Sequence, residues 1–86
     1  MDKQLIKDYS WIVSGSQRLK ILNILNKVRT PKEISTETKL KFSNVSDVLT
    51  AMVKRNIIEC LNPKNHTGRL YKLTKKGEKI KSQISK

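Results

Sequence analysis

The sequence predicts a mainly α fold of the α+β class: a trihelical core followed by a two-stranded hairpin, with flanking N- and C-terminal helices. Three observations predict it. The stretch from Thr30 to Asn56 reads as two short helices joined by a tight turn. Two β-rich runs, Ile57 to Leu61 and Leu70 to Leu73, bracket the turn-rich segment Asn62-Pro63-Lys64-Asn65-His66-Thr67-Gly68-Arg69. Finally, 86 residues with 36% hydrophobic and 30% charged content fit one small soluble domain over 1–86 with a thin core.

In chain order, Leu5, Ile6, Tyr9, Ile12 and Val13 recur at helical spacing and predict a first helix over Lys3 to Val13. Trp11 falls off that stripe, which suggests a second packing surface or a dimer contact. Gly15 punctuates the chain. A second helix begins at a cap, Ser14 (with Gln17 three later) or Ser16, and runs to about Val28. Leu19, Ile21, Leu22, Ile24, Leu25 and Val28 give it a wide apolar face. Arg18 and Lys20 near its start oppose the helix dipole, so Arg18 is expected to have an acidic or phosphate partner. Thr30-Pro31-Lys32-Glu33 is a capping box with proline at the first helical position, and the helix it opens ends near Thr38-Lys39. Leu40 anchors the turn. Ser43 is expected to cap the next helix, whose inward face is Val45, Val48, Leu49, Met52 and Val53. Thr74 caps a last helix with Ile80 and Ile84 on one side.

The 19 Lys and Arg against 7 Asp and Glu leave a formal net charge of +12, spread along the whole chain. Such a field attracts polyanions. A lysine-rich, merely solvated surface is normally matched by glutamate, and here it is not. The lone Cys60 excludes an intramolecular disulfide and a cysteine-pair metal site, and reads as a small core or half-buried residue. No apolar run reaches membrane-spanning length and the N-terminus lacks a secretory pattern, so a cytoplasmic, nucleoid-associated location is expected. Without a Ser-His-Asp set, a phosphate-cradling glycine loop or a carboxylate pair, the chain is not expected to be an enzyme, and no cofactor or metal is implied.

Four segments carry a resemblance: Ser16-Gln17-Arg18-Leu19-Lys20-Ile21-Leu22, Thr30-Pro31-Lys32-Glu33-Ile34, Ser43-Asn44-Val45-Ser46 and Gly68-Arg69-Leu70-Tyr71-Lys72-Leu73-Thr74. Over about residues 14 to 80 the chain resembles the small winged-helix transcriptional regulators common in archaea, related to the ArsR and MarR groups. The resemblance implies a homodimer built from the N-terminal helix (1–14) and the C-terminal helix (74–86), with Leu5, Trp11, Ile80 and Ile84 as contacts. It places the helix over 43–56 in the major groove of double-stranded DNA and the wing, 62–69, along the phosphates. The chain also departs from the pattern. Lys39 stands where glycine is usual, Asp47 stands where a basic residue is common, and the paired cysteines of metal-sensing relatives are missing.

Two kinds of contact are expected. Phosphates would be met by Lys64, His66 and Arg69 in the wing, Lys32 before the turn, and Lys41 and Lys54 flanking the recognition helix, with Thr30 opening a helix N-terminus. Bases would be read by Ser43, Asn44, Ser46, Asp47 and Thr50, with Asn44 suited to adenine and Asp47 to cytosine N4. The competing readings are a non-specific nucleic-acid binder, chromatin-like or RNA-binding, and a winged-helix protein-interaction module. Phe42 and Trp11 are the only aromatics suited to stacking on single strands, which disfavours RNA.

Overall fold

The computed structural model describes residues 2–84; positions 1, 85 and 86, at the ends of the two expected dimerisation segments, lie outside the described residues. The element order is α1 (Lys3–Val13), α2 (Ser16–Ile24), α3 (Pro31–Thr38), α4 (Phe42–Lys54), β1 (Ile58–Cys60), β2 (Tyr71–Leu73) and α5 (Lys75–Ile84). The expected class is therefore observed: a trihelical core of α2, α3 and α4, a hairpin and two flanking helices.

Local chemistry explains most boundaries. Asp2 caps α1 by accepting from the Leu5 N–H at 2.7 Å. The capping box of α3 is complete: Glu33 N donates to Thr30 Oγ1 (3.2 Å) and Thr30 N donates to Glu33 Oε1 (3.0 Å). Thr74 caps α5, its hydroxyl oxygen accepting from Gly77 N at 3.1 Å. The hairpin pairs antiparallel with Ile58 opposite Leu73, Glu59 opposite Lys72 and Cys60 opposite Tyr71. Its β1 and β2 are each shorter than the β-rich runs that predict them.

Several expectations are corrected. Neither Ser14 nor Ser16 caps α2; Gly15 holds the N-cap position without a side-chain bond, and Ser14 ends α1 instead, donating to the Trp11 carbonyl. α2 stops at Ile24 rather than Val28. Leu25 leaves helical geometry (ψ 41°), and Arg29 Nε donates to the Ile24 carbonyl at 2.6 Å, satisfying one of the carbonyls a helix end leaves free. Val28 is accordingly exposed, as are Ile6, Val13 and Val53. Ser43 is not the cap of α4. The helix starts one residue earlier, because Lys41 is extended and its carbonyl accepts the first intrahelical bond, from Val45 N at 3.0 Å.

The core gathers Ile12, Ile21, Leu22, Leu25, Ile34, Val45, Leu49, Met52, Ile57, Ile58, Tyr71, Leu73 and Ile80, drawn from every helix and both strands. Ile80 is 1% exposed within its own protomer, so it is removed from the expected dimer contacts; Leu5, Trp11 and Ile84 are half-buried against the same core.

Two backbone constraints set how α4 and α5 sit. Lys39 closes α3 in the left-handed region (φ 61°, ψ 21°), and its N–H donates to Ser35 O at 2.9 Å. The turn is held further by Ser35 Oγ donating to Leu40 O at 2.7 Å. Gly77 lets α5 touch the start of the hairpin: a Cβ there would lie 2.1 Å from the Ile57 carbonyl oxygen. The two positions should respond oppositely. Lys39→Gly is expected to stabilise by about 0.5–1 kcal/mol, the relieved strain less the added freedom of the unfolded chain. Gly77→Ala is expected to destabilise by about 1–3 kcal/mol through overpacking against backbone. Urea denaturation midpoints check both, and a shift of the same sign in the two variants contradicts the assignment.

Candidate nucleic-acid interface

Along α4 the inward residues Val45, Leu49 and Met52 are buried, which fixes the opposite face. Ser43, Ser46, Asp47, Thr50 and Lys54 are exposed there. Asn44 is half-buried, on the flank it shares with Val48 and Ala51 at four- and seven-residue spacing. The centre of the exposed face is thus Ser43, Ser46, Asp47 and Thr50, with Asn44 at its edge. Ser43, released from capping, has its hydroxyl available. Thr50 Oγ1 donates to the Ser46 carbonyl at 2.9 Å, so its hydroxyl proton is already engaged within the helix. Asp47 has no ion-pair partner among the described residues. Phe42, at the start of the helix, is 56% exposed.

The wing is closed at its base by Asn62. Its side-chain oxygen accepts from Leu70 N (2.7 Å), its amide donates to Gly68 O (3.2 Å), and its carbonyl accepts from Asn65 N (3.0 Å). Gly68 takes φ 64°, where glycine carries no strain. Arg69 Nε donates to Asn65 O at 2.7 Å, so the guanidinium is anchored by one edge. Lys64 and His66 are exposed at the tip.

A groove of ≈ 680 Å³ joins these parts. Thr30, Pro31 and Lys32 of the α3 start form one side, His66 to Arg69 of the wing another, and Phe42, Ser46 and Thr50 of α4 the third. The sequence-predicted residues Thr30, Lys32, Ser46, Thr50, His66 and Arg69 therefore meet around one concavity. Lys41, Ser43, Asn44, Asp47, Lys54 and Lys64 are not part of its lining. The N-terminus of α3 is a weaker anion site than expected. The capping box consumes the Thr30 and Glu33 N–H groups, Pro31 has none, and the Glu33 carboxylate stands beside it. Hydrogen bonds from the Thr30 backbone and then its side chain hold that carboxyl below its ordinary value.

Sequence reasoning missed two buried charges. Arg29 is 8% exposed and exchanges backbone hydrogen bonds with Tyr71 (3.0 and 2.9 Å), adding a single-residue bridge to the hairpin. Its guanidinium meets Glu37 of α3 and the Ile24 carbonyl, tying α2, α3 and the wing together. Asp8 of α1 is fully buried. It accepts from Arg55 Nη1 at 2.9 Å, forms an ion pair with Lys76 of α5 and accepts from Gln4 at 3.2 Å. The signal for Asp8 lay in the spacing: Leu5, Asp8 and Ile12 occupy one helical stripe, so an acid sat on the apolar face. Arg18 has no acidic partner among the described residues; its guanidinium lies over the Trp11 ring, 4.6 Å from its centroid, and Arg55 lies over the same ring at 4.3 Å.

A winged helix-turn-helix family model matches residues 18–86. No curated protein matches the chain. Among solved structures, it is similar to NadR in complex with 4-hydroxyphenylacetate (23% identity, TM-score 0.73, covering 94% of this chain), of which it spans 62%. It is also similar to the homodimeric winged helix-turn-helix DNA-binding domain Mb0332 from Mycobacterium bovis, a possible ArsR-family transcriptional regulator (20% identity, TM-score 0.71, 94% of this chain and 72% of that one). A third likeness is to HlyU from Vibrio cholerae (18% identity, TM-score 0.69, 99% of this chain and 91% of that one). At these identities the likeness is one of fold.

The Asp8 cluster gives a pH prediction. Burial pushes the carboxyl up, but hydrogen bonds from Lys76 and Arg55, with the charge of Lys76, outweigh it and hold Asp8 below its ordinary 3.8. A depressed carboxyl contributes stability above the unfolded value and loses it as pH falls through the folded one. The contribution of Asp8 should thus be constant at neutral pH and fade below pH 3.8. Asp8→Asn is expected to cost about 1–3 kcal/mol at pH 7, by removing the partner of two partly solvated cations, and to flatten the acid limb of stability against pH. Denaturation at a series of pH values checks it; an unchanged acid limb in the variant contradicts it.

Proposed function

The chain belongs to the winged helix-turn-helix family, and on that premise we propose that it is a sequence-specific double-stranded DNA-binding transcriptional regulator acting as a homodimer. The observation that carries this reading is the shared groove. The exposed hydroxyl face of α4 and the cationic wing border one concavity, so a duplex could be held by both at once. The homodimeric Mb0332 domain supports the assembly. In this reading Lys32, Lys41, Lys54, Lys64, His66 and Arg69 meet phosphates. Lys41 adds a cation at the positive end of α4, an arrangement unfavourable for the helix alone and favourable once a phosphate arrives. Ser43, Ser46, Asp47 and Thr50 face bases, with Asn44 reaching in from the flank. Thr30 acts by shaping the start of α3.

Asp47 favours base reading over general binding. An exposed carboxylate in the middle of the contact face repels phosphate and gains where a base amino group, cytosine N4 above all, donates to it. For the dimer, α1 offers exposed Ile6 and Val13, seven residues apart on one face, and α5 lies beside it as the second arm.

Binding is expected to weaken steeply with salt. About five phosphate contacts per subunit correspond to a log–log slope near −9 for the dimer. A salt titration on duplex DNA gives the slope, and a nearly flat line defeats the electrostatic part. Arg69→Ala is expected to reduce the slope and weaken binding on all sequences, whereas Asn44→Ala changes sequence preference with little effect on slope. Selection from a random duplex pool, run on both variants, separates these outcomes. Uniform loss from both contradicts the division of labour, and recovery of no preferred sequence favours a non-specific binder.

A further inference from the structure

Three elements meet at one buried carboxylate. Asp8 comes from α1, Arg55 is the C-terminal cap of α4, and Lys76 lies in the first turn of α5. Arg55 Nη1 donates to Asp8 Oδ1 at 2.9 Å while Lys76 pairs with Asp8 Oδ2. Lys76 Nζ also donates to the Arg55 carbonyl at 2.7 Å, so one ammonium grips both the acid and the end of the α4 backbone. Arg55 is further pinned by the Trp11 ring at 4.3 Å, and Arg18 lies over that ring too. Room for Arg18 comes from Gly15, where a Cβ would fall 2.0 Å from Arg18 Nε. The far end of the same joint is fixed by the Thr74 hydroxyl, 2.7 Å from the Asn56 carbonyl oxygen.

Apolar contacts alone would let one helix slide or rotate over another at small cost. Charged hydrogen bonds do not, since each depends on angle as well as distance. Buried ion pairs are poor sources of net stability compared with apolar side chains of similar volume, and their best-attested use is to fix register. This cluster ties the C-terminal end of α4 to α1 and α5, the two helices assigned to the dimer.

We propose that Asp8, Arg55 and Lys76 are positioning residues that set the angle of α4 against α1 and α5, and thereby the half-site separation the dimer accepts. The inference rests on the DNA-binding, dimeric reading above. Adding one base pair between half-sites moves the second by roughly 3.4 Å and turns it by about 35°, from the pitch of one helical turn. A stiff joint rejects that change and a loosened joint absorbs it. The specificity at stake is therefore of spacing, not of base sequence, because no member of the cluster lies on the exposed α4 face.

The test is selection from a random duplex pool with the full chain, Asp8→Asn and Lys76→Met in parallel. Lys76→Met keeps the Asp8–Arg55 pair and is the variant to read should Asp8→Asn fail to fold by circular dichroism. The unaltered protein should return an inverted repeat of one separation. A folded variant should return the same half-site with neighbouring separations admitted, its preference for the original falling by about tenfold, the scale of one coupled contact. A merely stabilising role would lower the denaturation midpoint and leave the separation sharp, and that result overturns the inference while leaving DNA binding intact. Failure of the unaltered protein to enrich any sequence brings down the underlying reading, and this inference with it.

Discussion

The wing lies where it does because Arg29 binds in two ways at once. Its backbone pairs with Tyr71, so the hairpin is registered against the segment between α2 and α3. Its side chain meanwhile reaches the last carbonyl of α2 and the Glu37 carboxylate of α3. One residue thus fixes β2 relative to both helices. The loop that β2 carries forward, His66 to Arg69, inherits that placement and arrives beside α4. Without this pairing, the hairpin would rest on a two-stranded sheet of three residues per strand, a unit with little stability of its own.

α4 is constrained from both ends. At its start, the left-handed Lys39 and the Ser35–Leu40 hydrogen bond turn the chain sharply, so the helix can open at Lys41 without a side-chain cap. At its end, Arg55 is held by Asp8, Trp11 and the ammonium of Lys76. Between these fixtures Val45, Leu49 and Met52 seat the helix in the core. The exposed hydroxyl face is therefore carried on a helix fixed by contacts at both ends and along its inward side.

What could be read from the sequence was the part governed by neighbours along the chain. The Thr30–Glu33 box and the Thr74 cap depend on residues three apart, the hairpin on a turn-rich segment between two β-rich runs, and the α4 apolar face on three- and four-residue spacing; all appear as expected except that Val53 of that face is exposed. The candidate residues around the groove were legible for the same reason, as polar positions between apolar ones. The misses come from long-range pairing. Asp8 and Arg55 are 47 positions apart, and periodicity alone does not pair them. Arg29 carries no local signal, and its backbone partner Tyr71 is a strand residue far along the chain. Ser43 looked like a cap because serine suits that role, but the turn before it had already supplied the geometry. Ile80 was expected at a dimer contact, whereas Gly77 brings α5 so close to Ile57, just before β1, that Ile80 is enclosed.

Trp11 carries a practical corollary. It is the sole indole in the chain, and its ring lies beneath the guanidinium that terminates α4. Indole emission responds to nearby charge, so the protein contains an optical gauge at the junction of α1 and α4. Ultraviolet fluorescence can follow that junction during assembly or ligand addition without an attached dye.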